Sequence, residues 1–132
     1  MIDDATMKAA MQAYIDHFNR SDAAAIAALY AEDATVEDPV GSPVKRGREA
    51  IAAFYRMAVS TGARLKLAAP IRGSHGDSAA MAFDVQLNMP EGEAIIRVID
   101  VMTFNEAGLF TSMRAYWSRS DMVVLSGPGA KP

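Results

Sequence analysis

The chain contains no cysteine. Disulfide scaffolds, thiolate nucleophiles and zinc–thiolate centres are therefore closed to it. Histidine is scarce: only His17 and His75 occur, far apart in the sequence. With no HExxH spacing, the sequence predicts no metal site. GxGxxG and GxxxxGK(S/T) runs are absent, which speaks against a nucleotide site, and no GxSxG elbow is present for a serine nucleophile. Long apolar runs are missing too. The longest, residues 23–31, falls well short of the roughly 20 residues a bilayer span needs. The opening MIDDATMKAA is acidic and has neither a basic nor a strongly apolar leader segment. The sequence thus predicts no secretory signal and a cytoplasmic location. Charge of one sign is not in excess: 13 Lys and Arg oppose 16 Asp and Glu, for a net −3. A clustered positive field for nucleic acid or an anionic membrane is not expected from that balance.

What remains is a chain of 132 residues, 51% hydrophobic and 22% charged. That length and composition fit one globular domain over residues 1–132, with 127–132 as a loose tail. The first half reads as helices. Met7, Met11, Tyr14 and Phe18 recur at i, i+4, i+7 and i+11, one stripe of a helix over about residues 5–20. Ser21 and Asp22 offer a cap for a second, Ala-rich helical run reaching Tyr30. A short strand at 34–38 ends at Asp38, which precedes Pro39 and is pushed away from helical angles. A loop at 41–47 leads to a third helix over about 48–59, with Ile51, Phe54, Tyr55 and Ala58 on its buried side.

The second half reads as strands separated by turn clusters at 73–78, 90–92 and 105–108. Met81, Phe83, Val85, Leu87 and Met89 share one strand face. Ile96, Val98, Asp100, Met102 and Phe104 share a second, and Leu109, Met113, Ala115 and Trp117 a third. Helices first and an antiparallel sheet afterwards predict an α+β fold, with the helices on one face of a curved sheet.

Asp100 is the anomaly in this pattern. The alternation that buries Val98 and Met102 also turns its carboxyl inward. Such a group either caps a turn or pairs with a cation such as Arg97 or Arg114, or it keeps its proton and donates a hydrogen bond. Tyr14 lies on the buried stripe of the first helix, where a phenol needs a partner. Tyr30 and Tyr55 either bond to Tyr14 or pack with their hydroxyls at the surface. Asp38 is in phase with Ala34 and Val36, either as an inward carboxylate or as a turn-former before proline. Together the inward groups supply one base and two donors, a set that suits proton abstraction beside a carbonyl. Spacing alone does not select that reaction.

At these residues the sequence resembles the bacterial Δ5-3-ketosteroid isomerase family, over about residues 7–118. The segments that carry the likeness are EDATVEDPVGSP at 32–43, GREAIAAFYR at 47–56, VIDVMTF at 98–104 and SMRAYWS at 112–118. Asp84, Arg97 and the KRG at 45–47 depart from the family's usual residues. The resemblance implies a cone-shaped fold like that of nuclear transport factor 2, about three helices on a mainly antiparallel sheet around a deep apolar pocket, and a homodimer. It implies conversion of a 3-oxo-Δ5-steroid to the conjugated Δ4-3-ketone without a cofactor or metal. Asp38 would carry the proton from C4 to C6, and Tyr14 with a protonated Asp100 would hold the oxyanion. Tyr55 and Tyr30 would extend the network behind Tyr14. Phe18, Phe54, Met81, Phe83, Val85, Ile96, Val98, Met113, Ala115 and Trp117 would bind the steroid. Two other readings stay open: a different reaction on the same fold, such as polyketide cyclisation or epoxide hydrolysis, and a non-catalytic module for an apolar ligand.

Overall fold

Helix α1 (Asp4–Asn19) begins where Asp3 accepts a hydrogen bond from the Thr6 amide at 2.8 Å. The structure, a computed structural model, describes residues 2–127. Met7, Met11, Tyr14, Ile15 and Phe18 form the buried stripe of α1, as the spacing predicts. Asp22 caps α2 (Ala23–Ala28) by accepting from the Ala25 amide. Here the Ala-rich helix stops short of Tyr30, which is instead the first residue of strand β1 (Tyr30–Glu37). The reason is tertiary. Tyr30 pairs with Phe110 on a strand far away in sequence, their rings 5.0 Å apart, and the Phe110 amide bonds to the Leu29 carbonyl. Cross-strand pairing outweighs the helix preference of the preceding alanines.

After β1 come a two-residue strand β2 (Lys45–Arg46), helix α3 (Arg48–Ser60) and strand β3 (Arg64–Leu67). Strands β4 (Ser78–Met89), β5 (Gly92–Phe104) and β6 (Phe110–Tyr116) follow, then a 3₁₀ turn and β7 (Met122–Val124). The seven strands form one open, mixed sheet in the order β2-β1-β6-β5-β4-β3, with β7 paired to β5 beyond the end of β6. Only β1 and β6 run parallel. The three helices pack on one face, and the shared core joins Met7 and Met11 to Ile51, Met81, Met102 and Met113. No described helix is long and apolar enough to cross a membrane.

Several readings of the strands need correction. Strands β2, β3 and β7 fall where the pattern gave no strand, because two to four residues carry too little periodicity. Only β3 shows a trace, Leu65 and Leu67 alternating with Arg64 and Lys66. Met89 lies at the exposed end of β4, not on the buried face. On β6 the inward residue is Phe110, fully buried, while Leu109 precedes the strand. Thr103 pairs with Ser112 but Phe104 with Phe110, so Thr111 is an extra residue in the ladder. That bulge lets Phe110 and Met113, an odd number apart, face the same core. Trp117 lies just past the strand end. Of the proposed tail, residues 128–132 lie outside the described residues.

Phe110 meets the rings of Tyr14, Tyr30 and Phe104 edge-on. Phe110→Ala should cost about 3–5 kcal/mol of folding free energy, read as a lower urea midpoint. A shift under about 1 kcal/mol would mean that the aromatic cluster repacks freely.

Candidate active site

Helices, strands and connecting segments converge on a cavity of about 300 Å³ between the helices and the sheet. Helix α1 brings Tyr14 and Phe18, and α3 brings Phe54 and Tyr55. The turn after β1 brings Asp38, β5 brings Asp100, and the segment after β6 brings Trp117. Phe83 and Val85 of β4, with Ile96 and Val98 of β5, form an apolar wall. Met81, Met113 and Ala115 do not line the cavity. They are buried in the sheet beside it, where Met81 and Ala115 stand directly across from Asp100 on either side. Sequence reasoning assigned no ligand role to Ala58, Thr61, Ala63, Leu65 or Leu87, yet all five line the cavity. Ala58 and Leu87 already lay on faces read as buried. Thr61 and Ala63 sit in a connection with no pattern to reveal them.

Asp100 is 1% exposed, and neither of its oxygens has a hydrogen-bond partner among the described residues. The cationic partners are engaged elsewhere or face away. Arg114 binds Glu37 at 3.2 Å, and Arg97 is opposite Asp84 on the other side of the sheet. Burial, and then the charge of Asp38, push the Asp100 pKa well above the carboxylate range. Asp38 is only half-buried. Its Oδ1 accepts a hydrogen bond from the Trp117 indole Nε1–H at 2.7 Å. Burial raises its pKa and the indole opposes the rise. Two carboxyls thus share one cavity in unlike surroundings.

The tyrosines form a chain. The Tyr14 and Tyr55 hydroxyls are 3.0 Å apart, and those of Tyr55 and Tyr30 are 2.6 Å apart, all three buried. Their hydroxyls therefore lie inside, and the surface alternative falls. Burial holds all three phenols neutral and raises their pKa well above the ordinary value. A larger depression, about 750 Å³, lies on the outer sheet face around Asp84, Arg97, Ile99 and Tyr116. It contains no buried, unpartnered polar group among the described residues. Among those residues, too, no cluster of three or more His, Asp or Glu side chains is arranged to hold a metal ion.

Residues 11–113 match the SnoaL-like domain. The chain is 45% identical to a steroid Δ-isomerase of Nocardioides simplex, across 91% of this chain and 96% of that one. It belongs to the steroid Δ-isomerase family of SnoaL-like, nuclear transport factor 2-like proteins. Membership makes it an enzyme of the isomerase class. The family has neighbours with other chemistry. The epoxide hydrolase LasB of Streptomyces lasalocidi is 27% identical, over 81% of this chain and 45% of that one. The solved structure of SalBIII, an epoxide hydrolase/cyclase-like enzyme with a role in pyran ring formation in salinomycin, superimposes with a TM-score of 0.86. It is 29% identical and the match covers 94% of this chain and 99% of that one.

The raised pKa of Asp100 has a thermodynamic signature. Below the ordinary Asp pKa of about 4, folded and unfolded chains both hold the proton, and the group adds no pH dependence. Above it only the unfolded chain ionises, so stability falls as pH rises, by up to about 1.4 kcal/mol per pH unit. Asp100→Asn removes this titration. Its stability relative to the parent should therefore climb from about pH 4 upward, read by urea unfolding across pH. Parallel profiles would mean that Asp100 ionises normally in the folded protein.

Proposed function

We propose that the protein converts 3-oxo-Δ5-steroids to conjugated 3-oxo-Δ4-steroids. The observation that carries this reading is Asp100, buried and unpartnered on the same cavity as Tyr14 and Asp38. A protonated carboxyl there is a hydrogen-bond donor waiting for an oxyanion. Asp38, ionised and steadied through Oδ1 by Trp117, keeps Oδ2 for the proton at C4. As that proton leaves, the C4–H electrons form the C3–C4 double bond of the dienolate and the carbonyl electrons move onto the C3 oxygen. Tyr14 and Asp100 donate to that oxygen. Asp38 then returns the proton to C6: the C5–C6 pair takes it up, the C3–C4 pair shifts to C4–C5, the C3 carbonyl re-forms, and the enzyme regains its starting state.

The tyrosine chain supports the donor role of Tyr14. If Tyr30 donates to Tyr55 and Tyr55 to Tyr14, the Tyr14 proton is left for the cavity. The apolar walls of Phe18, Phe54, Phe83, Val85, Ile96 and Val98 suit a fused hydrocarbon skeleton and exclude water, which strengthens both donors. Among the described residues no arginine lines the cavity, which weighs against the Asp-Arg-Asp arrangement that activates water in epoxide hydrolysis. Burying two carboxyls and a phenol is costly for a mere carrier of apolar ligands.

The proposed reaction needs no cofactor, because the base and both donors are side chains of this chain. The family likeness also supports a homodimer. Ile99 and Tyr116, cross-strand partners half-exposed on the outer sheet face, offer an apolar surface for it. The lack of cysteine supports a reducing, cytoplasmic setting.

The decisive assay mixes the protein with 5-androstene-3,17-dione and follows the ultraviolet absorbance of the conjugated enone. Asp38→Asn should lower turnover by about 10²–10⁴-fold, and Tyr14→Phe by about 10²–10³-fold. Near-parental rates in the Asn variant would remove Asp38 from the role of base, and no absorbance change with the parent protein would refute the reaction itself. Activity requires an ionised Asp38, so kcat/KM should rise with pH along a limb centred above the ordinary Asp value of about 4. A limb at or below that value would contradict the half-buried environment assigned to the base.

A further inference from the structure

We propose that Glu37 is a positioning residue for Asp38, holding the base in place while touching no reacting atom. Glu37 closes β1, and its side chain bridges two segments. Its Oε2 accepts from the Gly41 amide at 2.9 Å, spanning the turn that contains Asp38, Pro39 and Val40. Its Oε1 accepts from Arg114 Nε at 3.2 Å, on β6, directly across the parallel ladder. The Arg114 guanidinium lies over the Tyr116 ring at 5.8 Å, and Trp117 follows immediately. The turn is tied to β6 a second time where the Val40 amide donates to the Ala115 carbonyl at 2.8 Å.

One carboxylate therefore fixes both partners of the Trp117–Asp38 hydrogen bond. It braces the turn that carries the base and the strand that delivers the indole. The Gly41 amide, with help from Arg114, holds the Glu37 pKa below the usual carboxylate range. The brace thus remains charged at pH values where Asp38 is ionised. Tyr14 and Asp100 stand on α1 and β5, while the Glu37 carboxylate bonds to Gly41 and Arg114. Loss of the brace should misplace the base and leave the oxyanion donors where they are.

The inference rests on Asp38 being the base, and its test is built to separate the two claims. Trp117 is the single tryptophan, so its indole N–H gives one isolated nuclear magnetic resonance signal that reports the bond to Asp38 whether or not turnover occurs. In Glu37→Ala that signal should move toward its position in Asp38→Ala. The kcat for 5-androstene-3,17-dione should fall on the order of 10-fold or more, the scale of a base displaced by a fraction of an ångström. KM and the affinity for a planar phenolic steroid should stay at parental values. Glu37→Gln, whose amide oxygen still accepts from Gly41, should recover most of the lost rate.

Parental rate and parental resonance in Glu37→Ala would overturn the proposal, as would a loss of phenolic-steroid affinity that tracks the loss of rate. If Glu37→Ala does not fold, Arg114→Gln severs only the β6 arm of the brace. An unmoved indole signal in that variant would overturn the proposal in the same way. A parent protein inert toward the steroid would sink the reaction, and the indole signal would still decide whether Glu37 positions Asp38.

Discussion

Exclusion of water from around Asp100 is the constraint on which the site depends. The carboxyl sits on β5 between Met81 and Ala115 of the adjoining strands, with no hydrogen-bond partner among the described residues. In such surroundings a charge is far more expensive than a retained proton. Retaining the proton turns an acceptor into a donor. Every wall residue contributes to that outcome, because admitting water to the cavity would restore the ordinary acidity of the group.

The same physics separates the two carboxyls. Asp38 and Asp100 have the same chemistry and face the same cavity. One indole N–H and partial contact with solvent limit the rise at Asp38, while complete enclosure pushes Asp100 much further up. In the proposed reaction, the division of labour between proton carrier and oxyanion donor needs no difference in residue type. It needs two positions at different depths in one fold. The tyrosine chain adds a second neutral group at that depth, its hydroxyls satisfying one another away from solvent.

Relatives with this architecture include enzymes named for epoxide hydrolysis and ring formation. The shared sheet and helices therefore supply an enclosed, apolar chamber, and the polar residues on its walls select the reaction. The set here, two carboxyls, two phenols and an indole, with no arginine among the described residues, suits the proposed transfer of a proton between two carbons.

Much of this was legible in the chain itself. The spacing of Met7, Met11, Tyr14 and Phe18 specified α1 and its buried face. The alternation through Val98, Asp100 and Met102 turned one carboxyl into the interior. These features are local, because side-chain direction follows backbone period within one element. Other features had no local signature. The end of α2 before Tyr30, the bulge at Thr111 and the short strands β2 and β7 arise from pairing with distant segments. The meeting of Asp38 with Trp117 and the chain of three tyrosine hydroxyls are likewise contacts between residues far apart in sequence, and only the tertiary structure leaves Asp100 without a hydrogen-bond partner among the described residues. Periodicity decides which way a side chain points. What it meets there, and hence whether it keeps its proton, was decided only when the sheet and helices closed around it.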